Sequence, residues 1–378
     1  MRTLFILGTR PEAVKLLPVV LHQRSRPSDF QPAVCVTGQH RHLLDQVLDV
    51  FGVKPDYDLN LMLPGQTLFQ STSRVIAGLE SVIDAARPDA ILVQGDTTTT
   101  FTGALAGFYA NIPVAHVEAG LRTGDARQPF PEEINRILTT RLSTFHFAAT
   151  DWARDNLLAE NVEANHIAVT GNSGIDAVLR VRDGLEAGQL AGIDGLMPDT
   201  GKKLVLVTAH RRESFGVGFE SICRALARLA ARGDTQIVFP VHPNPNVQGP
   251  VQRLFRGKPN VILLEPLMYV PFVDLMRKAY ILLTDSGGVQ EEGPSLGKPI
   301  LVMREKTERP EAVAAGTVKL VGTSEDKIFA EASRLLDDAT EYQRMARRHN
   351  PYGDGHASER ISDFLIQHCQ AAVNVFCR

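Results

Sequence analysis

Short apolar runs alternate along this chain with longer stretches whose apolar positions recur every three or four residues. In the first half "TLFILG", "AVCVTG", "AILVQG", "PVAHVEA" and "FHFAA" read as buried strands. In the second half "KLVLVTAH", "QIVFPVH", "VILLEP", "YILLTDSGG" and "PILVMR" do the same. Amphipathic segments such as "TLFQSTSRVIAGLESVIDAA" and "PEEINRILTTRLS" separate them. Strands alternating with helices predict crossover units, hence parallel sheets covered on both faces. The alternation pauses over residues 184–202, "GLEAGQLAGIDGLMPDTGK", a Gly-rich stretch without a strand pattern that reads as a link. It then restarts, so the pattern predicts an α/β protein with two doubly wound sheets in tandem and a cleft between them. The segment "ERISDFLIQHCQAAV" predicts a last helix that fits against either domain.

At 378 residues the chain is too long for one ordinary core, which agrees with two domains. Net charge is −3 and no dense Lys/Arg run occurs, which argues against nucleic acid or an anionic membrane as partner. Any anionic ligand must then be met by a few local cations. Cys35, Cys223, Cys369 and Cys377 are scattered with no C-x-x-C pair, a pattern of reduced thiols in a cytoplasm. The start "MRTLFILGTRPE" reads as a first strand and not a secretion signal, and no apolar stretch reaches membrane-spanning length.

Ligands of open parallel sheets sit beyond the carboxyl ends of the strands, and here those ends are polar. They read "GTRPE", "QGDTTTT", "HVEAGLRTG", "TAHRRES", "PVHPNPN" and "TDSGGVQEE", which collects Arg10, Asp96, Glu118, His210, His242 and Asp285. Each alone has an ordinary reading: Asp96 as a helix N-cap, Glu118 as an ion-pair partner of Arg122, either histidine as a polar core residue. Six such ends in one chain point to a site. Ser286-Gly287-Gly288 after a strand lets backbone approach a ligand and offers helix N–H groups to phosphate. Arg10-Pro11 with Lys15, and Arg309-Pro310, place cations at helix starts, which suits a diphosphate.

Missing motifs narrow the chemistry. There is no G-x-x-x-x-G-K-[ST]; "GVGFES" fails the dinucleotide fingerprint at its last position; and no H-E-x-x-H spacing for a metal appears. No cofactor or metal is expected. Acid–base chemistry by carboxylates and a histidine on a phosphorylated ligand remains.

Ten ordered segments resemble one family. "GTRPEAVKLLP", "VTGQHRHLLDQVL", "GDTTTT", "HVEAGLRTG", "PFPEEINR", "TAHRRESFG", "PVHPNPNV", "LTDSGGVQEE", "LGKPILVMREKTERPEAV" and "NPYGDG" are similar to segments of the non-hydrolysing UDP-N-acetylglucosamine 2-epimerases. The resemblance runs from the first strand to the last helix. It implies two Rossmann-like domains in the glycosyltransferase-B arrangement, here residues 1–170 and 171–356, with the helix 357–378 joining the first. It also implies a cytoplasmic homodimer that converts UDP-GlcNAc to UDP-ManNAc. By the same resemblance Asp96, Glu118 and Glu132 are the catalytic carboxylates and His210 contacts the diphosphate. Arg10, Lys15, Ser286, Gly287, Gly288, Glu292 and Arg309 are nucleotide and phosphate contacts, and Phe272 lies beside the uracil. Gln39, His40, Gln66, Arg211 and His242 match the region where bacterial relatives bind a second UDP-GlcNAc as activator. Leu267 and Phe130 depart from the pattern, standing where relatives carry a polar residue and Trp.

The C2 proton of the sugar has no neighbouring carbonyl to acidify it, and without a nicotinamide oxidation at C3 is closed. Elimination of UDP to a 2-acetamidoglucal, followed by re-addition, needs proton-transfer groups on both faces of C2. It also needs fixed donors for the leaving diphosphate. Which carboxylate acts as base and which as acid stays open. So do a hydrolysing epimerase that releases ManNAc, an epimerase of a 3-acetamido uronic acid, a glycosyltransferase of the same architecture and a nucleotide-sugar sensor. Glu133 reads as a bystander, since adjacent helical residues point in different directions.

Overall fold

The computed structural model describes residues 1–378 except 39, 40, 62, 64, 194–200, 348, 377 and 378; the side chains of 41, 42 and 370–376 are also undescribed. The chain forms two compact units, one of Met1–Ala177 with Tyr352–Arg378 and the other of Val178–Pro351.

Seven strands build the first unit's sheet: β1 Arg2–Leu7, β2 Gln31–Val36, β3 Tyr57–Asp58, β4 Ala90–Gln94, β5 Val114–Ala119, β6 Phe145–Ala148 and β7 Ile167–Val169. Their order is β3-β2-β1-β4-β5-β6-β7, with every pair parallel. The second sheet holds β8 Lys203–Thr208, β9 Thr235–Pro240, β10 Val261–Leu264, β11 Ile281–Thr284, β12 Ile300–Val302 and β13 Val318–Leu320, in the order β10-β9-β8-β11-β12-β13. Both are doubly wound sheets with a reversal of strand order, between β1 and β4 in one and between β8 and β11 in the other. Such a reversal opens a crevice at the carboxyl ends of the two strands. The chain places "GTRPE" and "GDTTTT" at the first reversal, and "TAHRRES" and "TDSGG" at the second.

Central strands lack polar/apolar alternation because helices cover both faces: β4 is buried throughout and β1 is buried after Arg2. The core of the first unit includes Leu4, Ile6, Leu79, Ile91, Val93 and Val114. That of the second includes Val205, Phe219, Leu226, Phe239, Leu283 and Leu335. The strands β3, β7 and β13 have two or three residues each, too short to show a period.

The last helix, Ala357–Phe376, belongs to the first unit. Its Phe364 meets Phe145 and Phe147 edge-on, with ring centroids 5.7 and 5.5 Å away. The partly buried Asp176 carboxylate accepts the N–H groups of Ala357 and Ser358 at 3.3 and 2.8 Å, so a neighbouring helix supplies the cap. Among the described residues no helix is long and apolar enough to cross a membrane. Cys35, Cys223 and Cys369 are free and buried; Cys377 lies outside the described residues.

His116 on β5 faces His146 on β6 across the ladder, both buried. Burial, aided by His146, Arg122 and Arg136, pushes His116 down to about 3 against the Gly95 carbonyl that accepts from it. Burial, with His166 and Arg122, pushes His146 down to about 4. A histidine whose folded pKa is depressed contributes stability that is complete above its unfolded pKa and is lost as pH falls below it. For His146 the window runs from roughly 6.5 down to about 4. Glu12, whose carboxyl is raised by burial, works in the opposite direction over part of that range, so the comparison must be between variants. Urea unfolding should show the loss between pH 7 and pH 5 to be about 2 kcal/mol smaller in His146→Gln than in the unaltered protein. Equal pH dependence in the two would refute the assignment.

Candidate active site

The first switch point is organised by Glu12, a residue just beyond the end of β1. Helix Arg10–Arg24 begins with a capping box: Thr9 is the N-cap and Glu12 reaches back to it. Glu12 is 1% exposed. Its Oε2 accepts the N–H groups of Gly8 and Thr9 at 2.8 and 2.6 Å. Its Oε1 accepts the hydroxyls of Thr97 and Thr100 at 2.5 and 3.1 Å. Burial raises the Glu12 carboxyl above its ordinary range, and these hydrogen bonds oppose the rise. Thr97, not Asp96, is the N-cap of helix Thr98–Tyr109. The N-cap reading of Asp96 is therefore excluded, and the hydroxyls of Thr97 and Thr100 are engaged by Glu12.

Asp96 follows Gly95, which turns the chain at φ +74°. The Asp96 carboxylate meets Arg136 Nη2 at 2.5 Å, and its carbonyl accepts from Asn135 at 2.9 Å. Glu118 sits at a register shift in β5 with φ +63°, the left-handed region that costs a side-chain-bearing residue about 1–3 kcal/mol. Its carboxylate takes hydrogen bonds from Lys15 and from Gln94, and Asn172 Nδ2 lies 3.5 Å from Oε1. Arg122 does not pair with Glu118; it forks onto Glu160 at 2.6 and 3.0 Å.

Glu132 opens helix Glu132–Leu142, and its buried Oε2 has no hydrogen-bond partner among the described residues. The adjacent Glu133 is 1% exposed and accepts the N–H groups of Thr123 and Gly124 at 2.9 and 3.0 Å, so it anchors the loop after β5. Arg136, one turn on from Glu132, lies 3.2 Å from Glu133 as well as on Asp96. Arg10 is the first residue of its helix and, among the described residues, makes no ion pair. Sequence reasoning missed Glu12, Gln94, Arg136 and Asn172. The T-x-x-E spacing of Thr9 and Glu12 was a legible signal for the first; the others show only in three dimensions.

In the second unit His210 Nδ1 lies 3.2 Å from Asp285 Oδ1, and the His210 ring stacks on His242 with centroids 5.5 Å apart. Ser286 begins helix Gly287–Glu292, and its hydroxyl makes no capping bond. A Cβ on Gly287 would stand 2.5 Å from Arg309 Cζ, so a larger residue there would have to displace that guanidinium. Arg309 is also held by Glu291 at 2.6 Å and Glu308 at 2.7 Å. Burial would raise Glu308, but Arg309 and Arg304 outweigh it and bring it down to about 2. Arg211 Nη2 is 3.4 Å from the same Glu308. The Glu292 carboxylate lies about 4 Å from where a Gly288 Cβ would be. Phe272 is half-buried in the first turn of helix Tyr269–Lys278. In the first unit, Gln66 accepts from Leu63 N at 3.3 Å and its buried Nε2 has no partner among the described residues. Gln39 and His40 lie outside the described residues.

Among the described residues no cluster of His, Cys, Asp or Glu has the geometry to hold a metal. What the two rims offer is carboxylates with defined charge partners in one unit and a histidine, a glycine turn and an arginine in the other.

Two doubly wound sheets with polar switch points make this an α/β protein of the glycosyltransferase-B class. A family model for UDP-N-acetylglucosamine 2-epimerase matches residues 22–366. The UDP-N-acetylglucosamine 2-epimerase of Escherichia coli K12 is 55% identical over 372 residues, which is 97% of this chain and 98% of that one. The enzyme of that name from Bacillus subtilis 168 is 49% identical over 97% of this chain and 96% of its own. The crystal structure of UDP-GlcNAc 2-epimerase from Neisseria meningitidis bound to UDP-GlcNAc matches with a TM-score of 0.88 at 47% identity, covering 97% of this chain and all of that one. The chain belongs to the UDP-N-acetylglucosamine 2-epimerase family.

Replacing Glu12 by Ala leaves the N–H groups of Gly8 and Thr9 and the Thr97 hydroxyl without this acceptor, while Thr100 keeps the Gln94 carbonyl. The expected loss is about 3–5 kcal/mol of unfolding free energy, against about 1 kcal/mol for Thr9→Ala, which removes a cap alone. Chemical denaturation of the two variants checks the order; equal losses would show that Glu12 is only a cap.

Proposed function

We propose that the protein interconverts UDP-GlcNAc and UDP-ManNAc without net hydrolysis. A base takes the C2 proton while the C1–O bond breaks, the bonding pair leaves with UDP, and a C1=C2 double bond forms in a 2-acetamidoglucal. UDP then adds back to C1 as a proton arrives on the opposite face of C2. No redox partner enters the balance. Asp96, Glu118 and Glu132 move the protons; His210, Arg10, Lys15 and Arg309 meet the diphosphate. Ser286, Gly287, Gly288 and Glu292 hold the nucleotide, with Phe272 beside the uracil.

The observation that carries this reading is Glu118. A carboxylate set by an unfavourable backbone angle, with its side chain only 9% exposed, and held by Lys15, Gln94 and Asn172, is a group whose position matters more than its strain. Asp96 beside it in the fold has Arg136 as charge partner, and Glu132 keeps one buried oxygen unpaired. Groups poised on separate elements suit proton transfer at two faces of one carbon. A glycosyltransferase needs a single base, and a sensor needs none.

By the family resemblance Gln39, His40, Gln66, Arg211 and His242 are assigned to a second UDP-GlcNAc, which makes the nucleotide sugar an activator of its own conversion. Reaction of UDP-ManNAc alone should then start slowly and accelerate when a little UDP-GlcNAc is added. Full rate from the first moment would remove the activator site.

Incubation with UDP-GlcNAc in D₂O tests the chemistry. Deuterium should appear at C2 of both epimers, with UDP-ManNAc as product. Free ManNAc as the main product would sink the non-hydrolysing reading, and absence of deuterium would sink the elimination. Glu118→Gln and Asp96→Asn should each lower kcat by about 10²–10⁴-fold with unchanged unfolding midpoints.

A further inference from the structure

Asp285 takes no part in the proton transfers at C2, yet it is a buried charge, 1% exposed, in contact with the histidine assigned to the diphosphate. It follows β11, and its N–H donates to Thr208 O at 3.1 Å, which ties it to the end of β8. Oδ2 accepts the N–H groups of His210 and Arg211 at 2.6 and 2.7 Å. Oδ1 faces His210 Nδ1 at 3.2 Å, a contact short of hydrogen-bond geometry, and has no hydrogen-bond partner among the described residues. One carboxylate thus binds the backbone of His210 and lies against its ring. Burial alone would raise the Asp285 carboxyl, but the imidazole and the two N–H donors outweigh it and keep the group below the ordinary aspartate range.

The remaining neighbours leave the ring one way to stand. His242 stacks on it with the planes 13° apart. His242 Nδ1 accepts the N–H of Asn244 at 3.1 Å, so its own proton is on Nε2. Burial, with His210 beside it, pushes His242 below the ordinary histidine range, which makes it a neutral wall. Arg211 turns its guanidinium toward Glu308. The His210 side chain is nonetheless 40% exposed. With Nδ1 toward a buried carboxylate, the exposed edge is the one that bears Nε2.

We propose that Asp285 is a positioning residue for His210: it takes the hydrogen bond of Nδ1–H, so that Nε2–H of the imidazolium is the donor presented to the diphosphate oxygens. The proposal rests on the reading that His210 meets the diphosphate, although its first half, the state of Nδ1, does not. An anion on one ring nitrogen fixes the tautomer and orients the ring, which is how carboxylates support histidines at metal and nucleophile sites. No covalent bond at His210 is made or broken; the interaction stabilises charge on the leaving group.

Long-range ¹H–¹⁵N spectra of the full chain labelled with ¹⁵N-histidine test this, with His210→Gln identifying the His210 signals by their loss. In the unaltered protein Nδ1 of His210 should carry a proton. In Asp285→Asn, which keeps an oxygen acceptor for the two backbone N–H groups, the neutral ring should move to the Nε2–H tautomer. kcat should fall about 10–100-fold, the effect usual for such supporting partners, with KM moved much less. A bare Nδ1 in the unaltered protein overturns the proposal on its own, so the test survives a variant that fails to fold. An unchanged tautomer with unchanged kcat in folded D285N also overturns it. Were the protein inactive on UDP-GlcNAc, the state of Nδ1 would still be read, which separates failure of this proposal from failure of the epimerase reading.

Discussion

The carboxylate of Glu12 joins two turns that must stay in register for the first rim to exist. One of its oxygens gathers the N–H groups of the turn after β1, and the other gathers the hydroxyls that start the helix after β4. These are the strands on either side of the reversal in sheet order, where the crossovers leave in opposite directions and nothing in the ladder holds the two exits together. A buried acid with four donors is costly to desolvate and costly to leave unpaired. The turns therefore have one arrangement, and Gly95, Asp96 and the helix behind them inherit it.

The acidic residues of the two rims divide by the kind of donor they meet. Glu12, Glu133 and Asp285 accept backbone N–H groups from loops, and Asp176 does the same at a helix start. Backbone donors are fixed by the fold, so these carboxylates act as rivets. Asp96 and Glu118 are instead met by side chains, Arg136 on one and Lys15 with Gln94 on the other. Side chains on rotatable stems can give up a partner when a ligand arrives, at little cost to the backbone. Glu133 takes backbone N–H groups while the neighbouring Glu132 has a buried oxygen without a hydrogen-bond partner among the described residues, because the helix turns the two about 100° apart.

The second rim follows the same logic with opposite charge. Arg309 lies flat over Gly287 and is fixed by Glu291 and Glu308, while Glu308 also serves Arg304 and Arg211. Sharing one carboxylate among three guanidinium groups keeps the cations together in spite of their mutual repulsion. That is a condition for gripping a polyanion with a chain whose net charge is −3.

Much was already written in the order of residues. Alternating apolar runs and amphipathic segments determine two parallel sheets, since a strand covered on both faces and a helix covered on one have different periods. Polar strand ends mark the rims, because the carboxyl ends of parallel strands are where side chains leave the core. The strands β3, β7 and β13 were out of reach, as their two or three residues complete no period and are recognised only by their partners. The tertiary structure alone decided which acids are rivets and which are met by side chains. Asp96 turned out not to be the N-cap, Glu118 not to pair with Arg122, and the threonines to bind Glu12. The physical reason is that a hydrogen bond joins residues such as Glu12 and Thr97 that lie 85 positions apart. Composition and period describe a residue's surroundings along the chain, whereas the partner that determines its role is chosen by the way the sheet is wound.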